Sequence, residues 1–236
     1  MTDIPSPWAL EGRILFEDNH LIIVNKLVSE IVQGDKTGDE PLSETVRQYI
    51  KAKFKKPGDA FLGIIHRLDR PVSGAVVFAR TGKALSRMNF VVKNHEMHKI
   101  YWAIVKNPPS PEQGTLEHYL VRNEKQNKSY PYPGEVPDSK KAVLNYRLMA
   151  SSQDYHLIEI ELITGRHHQI RAQLATIGCP IKGDLKYGFP RSNPDASISL
   201  HARKLSFIHP VSHELISVLA PPPSDNLWDY FLKSVT

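Results

Sequence analysis

Sulfur is nearly absent from this chain of 236 residues: its only cysteine is Cys179. One thiol excludes an intrachain disulfide and any zinc site built on paired cysteines, and it suits a reducing compartment. Long apolar runs are missing too. No stretch approaches the roughly 18 residues that span a bilayer, and the N-terminal "MTDIPSPWALEGRILFEDNH" lacks the apolar core of a signal peptide. A soluble cytoplasmic protein is the expectation. Several signature motifs are also lacking. There is no GxGxxG or Walker loop for a nucleotide, no HExxH helix, and Ser73 in "PVSGA" lacks the glycines of a nucleophile elbow. Charge of one sign is only mildly in excess: 30 Lys and Arg against 25 Asp and Glu leave a formal +5, which permits a polyanionic partner without demanding one.

Strand-like runs are present in number. They are "HLIIVNK" (20–26), "GAVVFAR" (74–80), "IYWAIV" (100–105), "AVLNYRLM" (142–149) and "LISVLA" (215–220), and residues 155–163 alternate strictly between two faces. Helices are predicted over 43–54, capped by Ser43, over 83–97 with Leu85, Met88 and Val92 inward, and over about 165–177, capped by Thr164. In the last, Ile170, Leu174 and Ile177 form the buried stripe, and Gly178 with Pro180 ends it. Strands of uneven spacing among helices predict an α+β fold. The Pro- and Lys-rich segment 123–141 has no period and reads as a long surface loop, and "APPPSDNLWDYF" as a strand exit before a terminal helix.

Two dense stretches carry the chemistry. In "GIIHRLDRPVSGAVVFAR" (63–80), Asp69 stands between Arg67 and Arg70 with no other carboxylate within seven residues. A turn with solvated ion pairs accounts for that much. In "LITGRHHQIRAQLATIGCPIKGDLKYG" (162–188), Arg166, His167, His168, Gln169, Arg171 and Gln173 crowd donors into the predicted helix's first turns, where its dipole disfavours a cation. Such a terminus suits an anion, phosphate or carboxylate. A metal site from His66, Asp69, His167, His168 and Asp184 has poor spacing, since adjacent helical histidines diverge by about 100°.

Together these stretches resemble the two signature motifs of the RluA-type RNA pseudouridine synthases. The likeness extends to "ILFEDNHLIIVNK" (14–26), "HKIYWAIV" (98–105) and "LHARKLSFIHP" (200–210), in the family's order. It implies a single pseudouridine synthase-like catalytic domain over 1–236 without an N-terminal S4 domain. The implied architecture is α+β, a mixed, mostly antiparallel sheet flanked by helices with a central active-site cleft. The implied activity is cofactor-free, metal-free isomerisation of a uridine in a stem-loop of ribosomal or transfer RNA, by a monomer. In the resemblance Asp69 is the catalytic carboxylate, Tyr101 the base-proximal tyrosine and Arg171 the partner of Asp69. Arg67 supports the extruded nucleotide, and Lys99, Arg166 and His168 are candidate phosphate contacts. A glycosidase would want paired carboxylates, and this chemistry needs one. Two departures stand out: Val72 where a threonine is common, and "LVS" after Lys26 where the family often has "PAG". The rival readings are a non-catalytic RNA-binding module and a metal-dependent nuclease using His66 and Asp69.

Overall fold

The computed structural model describes residues 7–55 and 57–235. In chain order the elements are β1 (Ile14–Glu17), β2 (Leu21–Lys26), α1 (Leu42–Lys53), β3 (Gly63–Ile64), β4 (Ser73–Ala79), α2 (Gly82–Lys93), β5 (His98–Val105), β6 (Gln113–Asn123), β7 (Lys128–Tyr132), β8 (Lys140–Ser151), β9 (His156–Leu162), α3 (Gln169–Thr176), β10 (Leu200–Ile208), β11 (Leu215–Leu219) and α4 (Asn226–Val235). The fold is α+β with a mostly antiparallel sheet, as expected. The described residues fall into two compact units: those up to Met97 with Lys204–Pro221, and His98–Arg203 with those from Pro222 on. No helix among the described residues is long and apolar enough to cross a membrane.

In the first unit β2 pairs antiparallel with both β1 and β4. All seven residues of β4 are buried, so "SGAVVFA" reads as a continuous apolar run. Its Ala75, Val77 and Ala79 pack with Leu21 and Ile23 of β2, Ala84 and Met88 of α2, and Leu205, Phe207, Ile216 and Val218 from the β10–β11 hairpin. Thr81 caps α2, accepting from the Ala84 amide at 3.1 Å. The cap predicted at Ser43 does not form. Ser43 is buried, and the first amides of α1 are satisfied by the backbone: Leu42 N donates to Ile31 O (2.8 Å) and Ser43 N to Val32 O (3.2 Å). A long-range carbonyl replaced the local side chain.

In the second unit β5, β9, β8, β6 and β7 follow one another as antiparallel neighbours. One side of this sheet buries Trp102, Ile104 and Leu157 against Trp228 and Phe231 of α4. Elsewhere Leu120 and Ala142 meet Ala172 of α3 and Tyr187. The predicted surface loop 123–141 is instead mostly a hairpin: Lys128–Tyr132 pairs with Tyr119–Asn123. Pro131 misled the reading. It lacks a ladder amide, yet β7 pairs on one side only, and an edge strand tolerates proline.

Candidate active site

The loop carrying Asp69 joins β3 to β4 and is fixed from beneath by Lys26. That side chain is fully buried at the end of β2, and its Nζ donates to three carbonyls: Val72 O at 2.6 Å, Leu27 O at 2.9 Å and Arg70 O at 3.2 Å. Burial lowers its pKa from 10.5 to about 8, opposed by the nearby carboxylates of Glu30 and Asp69, so it remains an ammonium at neutral pH. Ser29 N also donates to Arg70 O, and Val72 N to Asp69 O, both at 3.0 Å. The residues bracketing Asp69 are therefore held by their backbone, which leaves side-chain identity at 72 open to a buried valine. His66 Nε2 accepts the Val77 amide at 3.3 Å, a bond that occupies the lone pair a metal would need.

The two arginines beside Asp69 turn elsewhere. Arg70 grips the loop before α1, with Nη1 2.6 Å from Asp39, and Nη2 2.8 Å from Thr37 Oγ1 and 3.3 Å from Asp35. Arg67 is exposed, its Nη1 3.4 Å from Gln33 Oε1. Ser29 adopts the left-handed conformation at φ 68°, in the "LVS" segment noted as a departure.

In the second unit, Lys99 and Tyr101 lie two residues apart and so share a face of β5. Tyr101 is 7% exposed and opposite Ile160. Lys99 Nζ would lie 3.5 Å from a Cβ placed on Gly165, and burial lowers its pKa.

The donor-rich segment folds differently from the prediction. α3 begins at Gln169, and His168, at φ 53°, occupies its N-cap position. Gln169 does the organising that Thr164 was expected to do: its Oε1 accepts from Arg166 N (3.0 Å) and Thr164 Oγ1 (2.8 Å), while its Nε2 donates to Val143 O (3.0 Å). Thr164 Oγ1 in turn accepts from Val143 N at 2.8 Å. Arg166, His167 and His168 thus precede the helix in a turn tied to β8. Outside a helix the two histidines do not diverge; their rings stack at 3.8 Å. His168 is buried, with Nδ1 3.0 Å from Tyr187 Oη, and desolvation followed by the Arg171 charge lowers its pKa to about 2. A neutral buried imidazole is a packing group, so His168 is not placed as a surface phosphate contact. Arg166 Nε donates to Lys141 O at 2.9 Å.

Arg171 projects from the first turn of α3 and forms a two-pronged pair with Asp184: Nε to Oδ2 at 2.7 Å and Nη2 to Oδ1 at 2.9 Å. Both side chains are nearly inaccessible, 7% and 1% exposed. The sequence offers Asp184 only as a poorly spaced metal ligand, and its pairing with Arg171 comes from how the segment folds back. Among the described residues no group of three His, Cys, Asp or Glu side chains is placed to hold a metal ion.

The family profile described as RNA pseudouridylate synthase matches residues 20–176. An uncharacterized RNA pseudouridine synthase of Bacillus subtilis is 33% identical over 216 residues, covering 90% of this chain and 69% of that protein. A ribosomal large subunit pseudouridine synthase D of Zymomonas mobilis is 33% identical over 229 residues, covering 93% of this chain and 72% of its own length. Human RNA pseudouridylate synthase domain containing 4 shares the fold, with a TM-score of 0.79 at 23% identity over 97% of this chain and 95% of that one. The chain belongs to the RNA pseudouridylate synthase family, RluA type, whose members are isomerases. It spans 69% of the length of the Bacillus relative and as little as 52% of another curated relative.

Proposed function

We propose that this chain converts a uridine in structured RNA to pseudouridine, with Asp69 as the catalytic carboxylate. The C1′–N1 bond breaks, the uracil turns, C1′ bonds to C5, and the proton lost from C5 is balanced by one gained at N1. No cofactor or metal enters that balance. The observation that carries the reading is the Asp69 loop, whose carbonyls at 70 and 72 are anchored by a fully buried lysine in a chain of this family. A module that only bound RNA would have little use for a carboxylate whose loop is fixed in this way.

In this reading Tyr101 stacks beneath the uracil and Arg171 is a further catalytic residue. Arg67 supports the nucleotide drawn out of the stack, a step that enzymes acting on bases require. Lys99 and Arg166 meet phosphates. The Zymomonas relative is named for the large ribosomal subunit, which puts ribosomal RNA first among substrates, with transfer RNA stem-loops second. The enzyme acts as a monomer in the cytoplasm.

The test incubates the protein with ribosomal and transfer RNA transcripts in chelator, and maps pseudouridine by carbodiimide derivatisation beside Asp69→Ala. Pseudouridine at a defined position with wild type and none with the variant is expected. Intact, unmodified RNA in every transcript overturns the enzyme reading, and product from Asp69→Ala overturns the role of that carboxylate. Chain cleavage that disappears in chelator would restore the nuclease.

A further inference from the structure

Arg171 stands where its charge is least welcome. It is buried, and it projects from the first turn of α3, whose dipole disfavours a cation. What compensates comes from one short segment, "KGDLKYG" at 182–188. Asp184 meets the Nε and Nη2 edge of the guanidinium in its plane, at 2.7 and 2.9 Å. Tyr187 closes one face, its ring centre 5.2 Å from the guanidinium carbon. A planar fork held along one edge and on one face has few orientations left.

The clamp is itself fixed. Asp184 makes no side-chain cap for the 3-10 turn that follows it, so its carboxylate serves Arg171 rather than its own backbone. Its carbonyl accepts from Tyr187 N at 3.1 Å and Phe189 N at 3.0 Å, and its amide donates to Ile181 O at 3.0 Å. Gly183, at φ 88°, sits so close to Ser197 that a Cβ there would come within 2.6 Å of the Ser197 carbonyl oxygen. Tyr187 Oη accepts from Ser129 N at 2.8 Å. Simple burial of an arginine would be served by any acceptor. A braced carboxylate in the plane with an aromatic on the face is the arrangement that aims it.

We propose that Asp184 is a positioning residue which, with Tyr187, fixes the orientation of the Arg171 guanidinium that the reaction uses. This rests on the reading of Asp69 and Arg171 given above.

The test measures kcat and KM on the transcript modified by wild type, for Asp184→Asn, Arg171→Lys and the double variant, with Asp69→Ala in the same assay and melting curves for each. Asparagine keeps the shape and one acceptor but turns an amide donor toward the guanidinium. The expected result is a fall in kcat of about tenfold to a hundredfold, with KM within about twofold. The double variant should match Arg171→Lys alone, because the two residues act through one group. Unchanged kcat in folded Asp184→Asn, or losses that multiply in the double variant, overturns the proposal. If Asp184→Asn does not fold, Tyr187→Leu takes its place: reduced kcat at constant KM supports the clamp, and unchanged kcat rejects it. Product from Asp69→Ala would reject the underlying reading, whereas an inactive Asp69→Ala beside a fully active Asp184→Asn rejects the positioning role alone.

Discussion

Replacing Lys26 by methionine separates what the buried ammonium does for stability from what its stem does for packing, because the two side chains are close in length and volume. Lys26 is fully buried and supplies the carbonyls of Leu27, Arg70 and Val72. Methionine leaves those acceptors without that donor. An unsatisfied buried polar group costs about 1–3 kcal/mol. Arg70 O keeps its bond from Ser29 N, and relief from burying a charge offsets part of the rest, so about 1 kcal/mol for each of the other two carbonyls gives about 2 kcal/mol in all. Urea slopes for small proteins are about 1–3 kcal/mol per molar, so the unfolding midpoint should fall by about 1 M. The pH dependence supplies a second check. The folded pKa of about 8 lies below the ordinary 10.5, so between these values the unfolded chain holds the proton and the folded chain has released it. The pH-dependent part of its contribution therefore rises with pH across that window, is full above 10.5, and is lost as pH falls through 8, where the hydrogen bonds of the ammonium remain. Wild type should gain on Lys26→Met between pH 8 and 10, toward a limit of about 3 kcal/mol. Equal urea midpoints at pH 7, or a difference that narrows as pH rises, would refute the reasoning.

Ser29 holds a left-handed conformation at φ 68°, which an L side chain adopts at a cost of about 1–2 kcal/mol. Ser29→Gly should raise stability by about 1 kcal/mol in urea melts, and a lowered midpoint would show that the serine side chain is needed there. His168, driven to about 2 chiefly by burial, should show no imidazole titration by NMR between pH 8 and 4. Since its unfolded value is near 6.5, its contribution to stability is full above that pH and is lost progressively as pH falls toward 2.

The sheet was legible because its strands announce themselves locally. "LIIV" in β2 and "AVVFA" in β4 are apolar runs that only a buried strand accommodates, and the alternation of 155–163 gave β9 within a residue at each end. Helix caps were not, for a consistent reason. Ser43 and Thr164 are good caps by type, yet Ile31 and Val32 carbonyls serve α1, and Thr164 is bound to Val143 in another element. Local chemistry proposes a cap, and tertiary partners decide it. The motifs revealed the residues of the candidate site, but Asp184 was weighed only as a metal ligand. Its link to Arg171 spans thirteen positions and depends on how "GDLKYG" folds back.

The two buried cations Lys26 and Arg171 differ in what neutralises them, and that difference predicts different phenotypes. Lys26 is bound by neutral carbonyls, so its charge is spent on no carboxylate and still acts on Asp69, whose field in turn raises the lysine's pKa. Arg171 is matched by Asp184 at hydrogen-bond distance, so its charge is largely compensated and its direction is what remains to be used. A buried cation with carbonyl partners chiefly holds backbone in place. One whose partner is a braced carboxylate chiefly holds itself in place. Loss of Lys26 should therefore register first as unfolding, with activity following the loop, whereas loss of Asp184 should register as slower turnover by a protein that still binds RNA. The same physical element, a desolvated positive charge, is used once as a fastener and once as an aimed group.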